Sequence, residues 1–193
     1  MQKYALVVTI TIALFASLVS EAAAKLVKAR ISGSVNASDV TSGPCAPVVD
    51  TNGADTYDTM CPAADTANCK CINASNLLLS GSFGRGTANL IATADESSTV
   101  ETSATDPSAC SPAFAVVTLS IAARGKVPAK TQTLNALGAV CGAPGTTTVS
   151  LLGGFSIEDS SSQPPAMGSG TFNGTVSVTG QVSITLAGLI NNP

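Results

Sequence analysis

The plainest pattern in the chain lies near its C-terminus. Phe172, Gly174, Val176 and Val178 alternate with Thr171, Asn173, Thr175 and Ser177, and then Val182, Ile184 and Leu186 alternate with Ser183 and Thr185. A period of two sends successive side chains to opposite faces of a strand. With Thr179-Gly180-Gln181 as the loop, Val178 faces Val182 and Val176 faces Ile184. Every apolar side chain then falls on one side of a hairpin.

The same alternation runs over 26–36, with Val27, Ala29, Ile31, Gly33 and Val35 against Lys28, Arg30, Ser32, Ser34 and Asn36. A turn at 81–86 precedes a strand of small and apolar residues over 87–94. Residues 113–123 are apolar on both faces, through Phe114, Val116, Val117, Leu119 and Ile121, as expected of a strand covered on both sides. Residues 146–152 are rich in β-branched side chains and stop at Gly153-Gly154, so Phe155–Glu158 reads as a separate short strand. Evidence for helix is poor: at 130–140 Leu134, Leu137 and Val140 recur at three-residue steps, but the stretch is short and ends at Cys141-Gly142. Strands at short intervals, divided by Gly, Pro, Ser and Thr, predict an all-β fold. It is expected to be an antiparallel sandwich or barrel of roughly seven to nine strands.

Three stretches break the pattern: 37–76, 95–112 and 159–168. The first carries Cys45, Cys61, Cys69 and Cys71 with Asp39, Asp50, Asp55, Asp58 and Asp65. So long a loop in a compact domain needs pinning, and disulfides are the natural pins.

The N-terminus supplies the compartment. Lys3, an apolar run over 5–19 and Ala22-Ala23-Ala24 make the three parts of a secretory signal peptide over residues 1–24. Residues 25–193 then form a single exported β-domain, and no later apolar run reaches the length of a membrane span. The expected location is secreted, periplasmic or at the cell surface. In an oxidising compartment six cysteines make three disulfides. Cys69 and Cys71 flank Lys70, share a face of an extended chain and so take different partners. Six cysteines allow fifteen pairings. The pairing adopted joins Cys110 to Cys141, and Cys45 and Cys61 to Cys69 and Cys71.

Composition then removes mechanisms. The chain has no histidine and no tryptophan, and charged residues are 11% of the total with a net charge of −3. Without histidine there is no Ser-His-Asp triad and no HExxH zinc site. Nine Lys plus Arg spread along the chain make no footprint for nucleic acid. The run Asp50-Thr51-Asn52-Gly53-Ala54-Asp55-Thr56-Tyr57-Asp58 offers oxygen ligands from Asp50, Asn52, Asp55 and Asp58, which suit calcium. Asp55 stands where the EF-hand turn needs glycine, however, and Cys61 stands where it needs a bidentate glutamate. A solvated loop with Asx turns is the preferred reading, and no cofactor is assigned. Carboxylates hydrolyse glycosides without histidine, which leaves Asp95, Glu96, Glu101, Asp106, Glu158 and Asp159 as catalytic candidates. Asn36, Asn73 and Asn173 head glycosylation sequons.

Two functions are consistent with this inventory. The first is a non-catalytic structural, adhesion or appendage-type domain that meets copies of itself, or a surface protein or glycan, through open sheet edges. The alternative is a small-molecule-binding β-barrel, with Phe114, Val116 and Phe172 lining its cavity, or a carboxylate-based hydrolase. Processing is open to direct test. N-terminal sequencing of the exported protein should begin at Lys25, and a start at Met1 would refute the assignment of 1–24.

Overall fold

The computed structural model describes residues 24–43, 45, 69–95, 110–142, 147–159 and 166–191. Its strands are β1 (Lys25–Ser34), β2 (Val40–Ser42), β3 (Cys69–Gly81), β4 (Gly86–Asp95), β5 (Cys110–Ile121), β6 (Lys130–Cys141), β7 (Thr148–Asp159), β8 (Ala166–Ser177) and β9 (Gln181–Asn191). A single 3₁₀ turn, Ala37–Asp39, precedes β2. The strands make one sheet in the order β1-β9-β8-β7-β6-β5-β4-β3-β2. β1 also pairs with β3, Ile31 opposite Leu79 and Ala29 opposite Gly81. That pairing closes eight antiparallel strands into a barrel and leaves β2 as a short addition on β3. The all-β antiparallel expectation is met, as a barrel.

Closure is managed on β3. Along one edge, β3 pairs first with β2 through Lys70–Ile72 and then with β1 through Leu78–Gly81. Between the two lies a bulge, where the register against β4 shifts between Ala74 and Leu77. A bulge bends a strand and adds twist, which a barrel corner requires. Asn76 takes up the extra residue with φ 57°, the left-handed conformation that asparagine tolerates best among residues with a side chain. Its N–H donates to Asn89 Oδ1 of β4 at 3.0 Å. Ala74 and Leu77 both remain buried, so the bulge preserves the inward face on either side of it.

The inward face follows the alternation in the sequence. On β1 and just beyond it, this face comprises Val27, Ala29, Ile31 and Val35, all buried, while Lys28 and Arg30 are exposed. Register carries this face around the barrel: Ile31 opposes Ile184, Leu186 opposes Phe172, Phe155 opposes Ala136, and Leu134 opposes Val117. The outer face carries Ser, Thr, Asn, Lys and Arg, as at Thr171, Asn173 and Thr175 of β8, and also exposes Leu26, Leu78, Leu137, Leu152 and Leu189. No helix among the described residues is long and apolar enough to cross a membrane.

Two sequence expectations are corrected, and residues 130–140, too short a stretch for its helical spacing to count, are β6. Leu134, Ala136 and Val140 follow the two-residue period of a strand paired with β5 and β7, whereas Leu137 is 61% exposed. Gly153-Gly154 does not break a strand, and β7 runs through both. Gly153 faces Gly138 of β6, and a Cβ added at Gly153 would lie 2.7 Å from Phe172 Cε1. These glycines therefore make room for an aromatic ring laid along the wall. The stretch 37–76 is not all loop, since β2 and the first part of β3 fall within it; its residues 46–68 lie outside the described residues.

The C-terminal hairpin forms with a different loop. Val176 pairs with Val182, and Val178-Thr179-Gly180 make the turn, with Gly180 at φ 80° and its N–H donating to Ser177 O at 2.8 Å. A three-residue hairpin loop favours glycine in this left-handed position. The predicted register differs by two residues, which keeps the same side chains inward; Val178 alone leaves that face and is 74% exposed.

The bulge gives a sharp test. Asn76→Gly should be nearly neutral in chemical denaturation. Asn76→Val should cost about 1–2 kcal/mol, the penalty for a left-handed conformation at a residue with Cβ. Equal stabilities for the two variants would refute the role given to Asn76.

Candidate functional site

The lumen is filled unevenly, and the inward residues of β5 show how. From one end of the barrel to the other they run Ile121, Leu119, Val117, Ala115 and Ala113. The large residues meet Leu79, Leu77, Ile157 and Ile190, each 1% exposed or less, in a packed layer. Phe83, in the turn between β3 and β4, is buried in the same cluster. This end is closed. Toward the other end the facing residues on β4, β5 and β6 shrink to Ala92 and Ala94, Ala113 and Ala115, and Ala136 and Gly138. A wall of methyl groups and hydrogens cannot reach across a barrel of eight strands.

The result is a cavity of about 470 Å³, within the range of small-molecule sites. Ala92, Ala115 and Ala136 form one side; Ile184, Leu186 and Phe172 contribute to the rest. Phe172 lies against Gly138 and Gly153, and Phe155 against Gly170 and Gly188, where added Cβ atoms would lie 2.7–2.9 Å from ring carbons. Stacking on paired glycines keeps both rings along the wall, so they line the space without occupying it. An apolar cavity of this kind holds no favourable place for water, which needs several polar partners.

The polar groups that border the cavity are uncharged: Ser34, Asn36, Thr93, Ser177 and Thr179. The rim is held by hydrogen bonds. Val35 N–H donates to Gly180 O at 2.8 Å, joining the end of β1 to the β8–β9 turn. Ser177 Oγ and Thr179 Oγ1 are 2.8 Å apart, and Gln181 N–H donates to Ser177 Oγ at 3.0 Å. In the 3₁₀ turn, Asn36 N–H donates to Asp39 Oδ2 at 2.7 Å.

Disulfides gather at the same end. Cys110 and Cys141 face each other across β5 and β6 and are bonded, with Cα atoms 4.1 Å apart. Cys45 is bonded to Cys71 of β3, Cα atoms 4.9 Å apart, and Thr93 Oγ1 donates to Cys45 Sγ at 3.3 Å. Both pairings match the expectation. Cys69 is also disulfide-bonded, and Cys61 lies outside the described residues.

Other sequence candidates scatter. Of the three residues expected to line a cavity, Phe172 and Phe114 border it, whereas Val116 alternates outward between Ala115 and Val117. Asp95 ends β4 at the open end and is buried; Glu158 and Asp159 end β7 at the closed end. The topology keeps these carboxylates at opposite ends of the barrel. Glu96, Glu101, Asp106 and the calcium candidates Asp50, Asn52, Asp55 and Asp58 lie outside the described residues. Among the described residues no group of three His, Cys, Asp or Glu converges on a metal position. Asn36, Asn73 and Asn173 are all exposed. No family model, curated protein or solved structure matches the chain.

The disulfide across β5 and β6 should hold the mouth more than the floor. Cys110→Ser with Cys141→Ser should cost about 2–4 kcal/mol overall. Amide exchange near Ala113 and Val140 should rise well beyond that near Leu119 and Leu134. Uniform acceleration along both strands would contradict this division.

Proposed function

We propose that this protein binds a small apolar molecule in the open half of its barrel. One observation carries the proposal: the lumen is left unfilled at one end, in a chain that packs the other end to near-zero exposure. Unfilled apolar volume in a protein interior costs stability. Here the volume is continuous, faces one end and is bordered by hydroxyl and amide groups that can orient an occupant. The disulfides mark folding in an oxidising environment. Together with the signal-like residues 1–24, they support a carrier or receptor working outside the cytoplasm.

Barrel geometry also bears on the structural or adhesion reading. Assembly through sheet edges needs unpaired strands, and closure removes them from the eight barrel strands. Among the described strands β2, three residues long, presents an outer edge, and β1 leaves Lys25–Lys28 beyond its pairing with β3. Edge-to-edge assembly therefore has little to work with, and the internal cavity has no part in such a role.

The test uses a neutral fluorescent probe such as N-phenylnaphthylamine, whose emission rises in apolar surroundings. It should bind the native protein. Ala115→Phe with Ala136→Phe fills the cavity from its small-residue wall and should weaken probe binding at least tenfold, with thermal stability unchanged or raised. Unaltered probe affinity in a folded double variant would place the probe on the outer surface and defeat the proposal.

A further inference from the structure

Resting on the cavity reading above, we infer that the site selects neutral apolar molecules and rejects anionic ones, fatty-acid carboxylates included. The inference comes from where charge is absent and where it gathers. Among the described residues, no Lys or Arg side chain lines the cavity. A carboxylate drawn inside would meet Ala, Val, Leu, Ile and Phe side chains, with hydroxyls only at the border. Burying an ionised group without an opposite charge is strongly unfavourable, and exposed hydroxyl dipoles offset only part of that cost.

The rim does not repair the deficit. Among the described residues, the strand ends and turns at the open end carry one base, Lys70, and its Nζ donates to Ser42 Oγ at 3.4 Å. The same end carries Asp39 and Asp95. The other bases lie elsewhere. Lys25 and Lys28 begin β1, Arg85 is in the β3–β4 turn, Arg124 and Lys126 are in the β5–β6 connection, and Lys130 begins β6. These six belong to the closed end, together with Glu158 and Asp159, and Arg30 lies midway along β1. Among the described residues the closed end is net positive and the mouth slightly negative. Such a field disfavours the approach of anions at low ionic strength, while the lumen disfavours their retention at any ionic strength. A neutral alcohol or ester meets neither barrier and finds hydrogen-bond partners in Ser177, Thr179 and Asn36.

The experiment is displacement of bound N-phenylnaphthylamine, near neutral pH, by three molecules that share a hydrocarbon chain: decanol, methyl decanoate and decanoate. Decanol and methyl decanoate should displace the probe, and decanoate should be at least tenfold weaker than decanol. Raising the salt concentration should narrow the gap only in part, since screening acts on the rim and not inside the lumen. Decanoate competing as well as decanol would overturn the selectivity and leave the cavity reading standing. Probe binding that none of the three disturbs would overturn the cavity reading, and this inference with it.

Discussion

Closing a sheet into a barrel of eight strands fixes how much side-chain volume its interior must receive, and almost everything else in this protein follows from how that demand is met. In a barrel of this size the inward side chains are just able to fill the lumen when they are large. β5 meets the demand with Ile121 and Leu119 at one end and declines to meet it with Ala115 and Ala113 at the other. Beside it, β4 passes from Leu90 to Ala92 and Ala94, and β6 from Leu134 to Ala136 and Gly138. The barrel is therefore two structures on one set of strands: a packed plug, apolar save for buried Gln132, and a cup whose walls are too thin to touch. Eight continuous strands keep the two in register, because the pleat that points Leu119 inward also points Ala115 inward.

A cup cannot be held by the forces that hold a plug. Where Leu79, Leu119 and Ile190 interlock, burial supplies the cohesion. Where the wall is alanine and glycine, opposite strands have nothing to press against. The covalent and polar ties concentrate there: Cys110–Cys141 between β5 and β6, Cys45–Cys71 at the start of β3, and Val35 N–H to Gly180 O across the rim. Each ties neighbours along the circumference and leaves the centre clear. The same economy explains Phe155 and Phe172. Both are large enough to block the lumen, and both are laid against glycine pairs that let them lie back.

Much of the barrel was legible in the alternation of the strands, and the reason is physical. A side chain's face depends only on its parity along a strand, so Val27 to Val35 and Val182 to Leu186 declared their inward sides without reference to any partner. Closure was not legible. β3 exchanges β2 for β1 as its partner across a bulge at Ser75-Asn76, which no periodicity marks. Gly153-Gly154 misled for a related reason. Glycine in a strand signals either an interruption or an approach by something bulky, and the bulky partner here, Phe172, sits on another strand. The cavity was hidden most deeply. Alanines such as Ala92, Ala115 and Ala136 look alike in sequence whether opposing walls close on them or stand apart, and the distance between walls belongs to the barrel as a whole. The cysteines were read correctly as pins, but the mouth of the cup, as well as a loop, is what they secure.

The unevenness also bears on what kind of work the cup suits. Catalysis by paired carboxylates needs two such groups within several ångströms of a shared substrate. The described candidates, Asp95 and the Glu158-Asp159 pair, belong to opposite ends of the strands, and the packed plug lies between them. Strand topology enforces that separation, so no change of rotamer can undo it. What does converge on the open space is a set of hydroxyls and one amide at its border and a smooth apolar surface below. On the proposed reading, groups of that kind orient a guest and shield it from water. On the binding reading proposed above, the change from leucine to alanine along one strand sets the depth of the lumen and with it the size of the occupant retained.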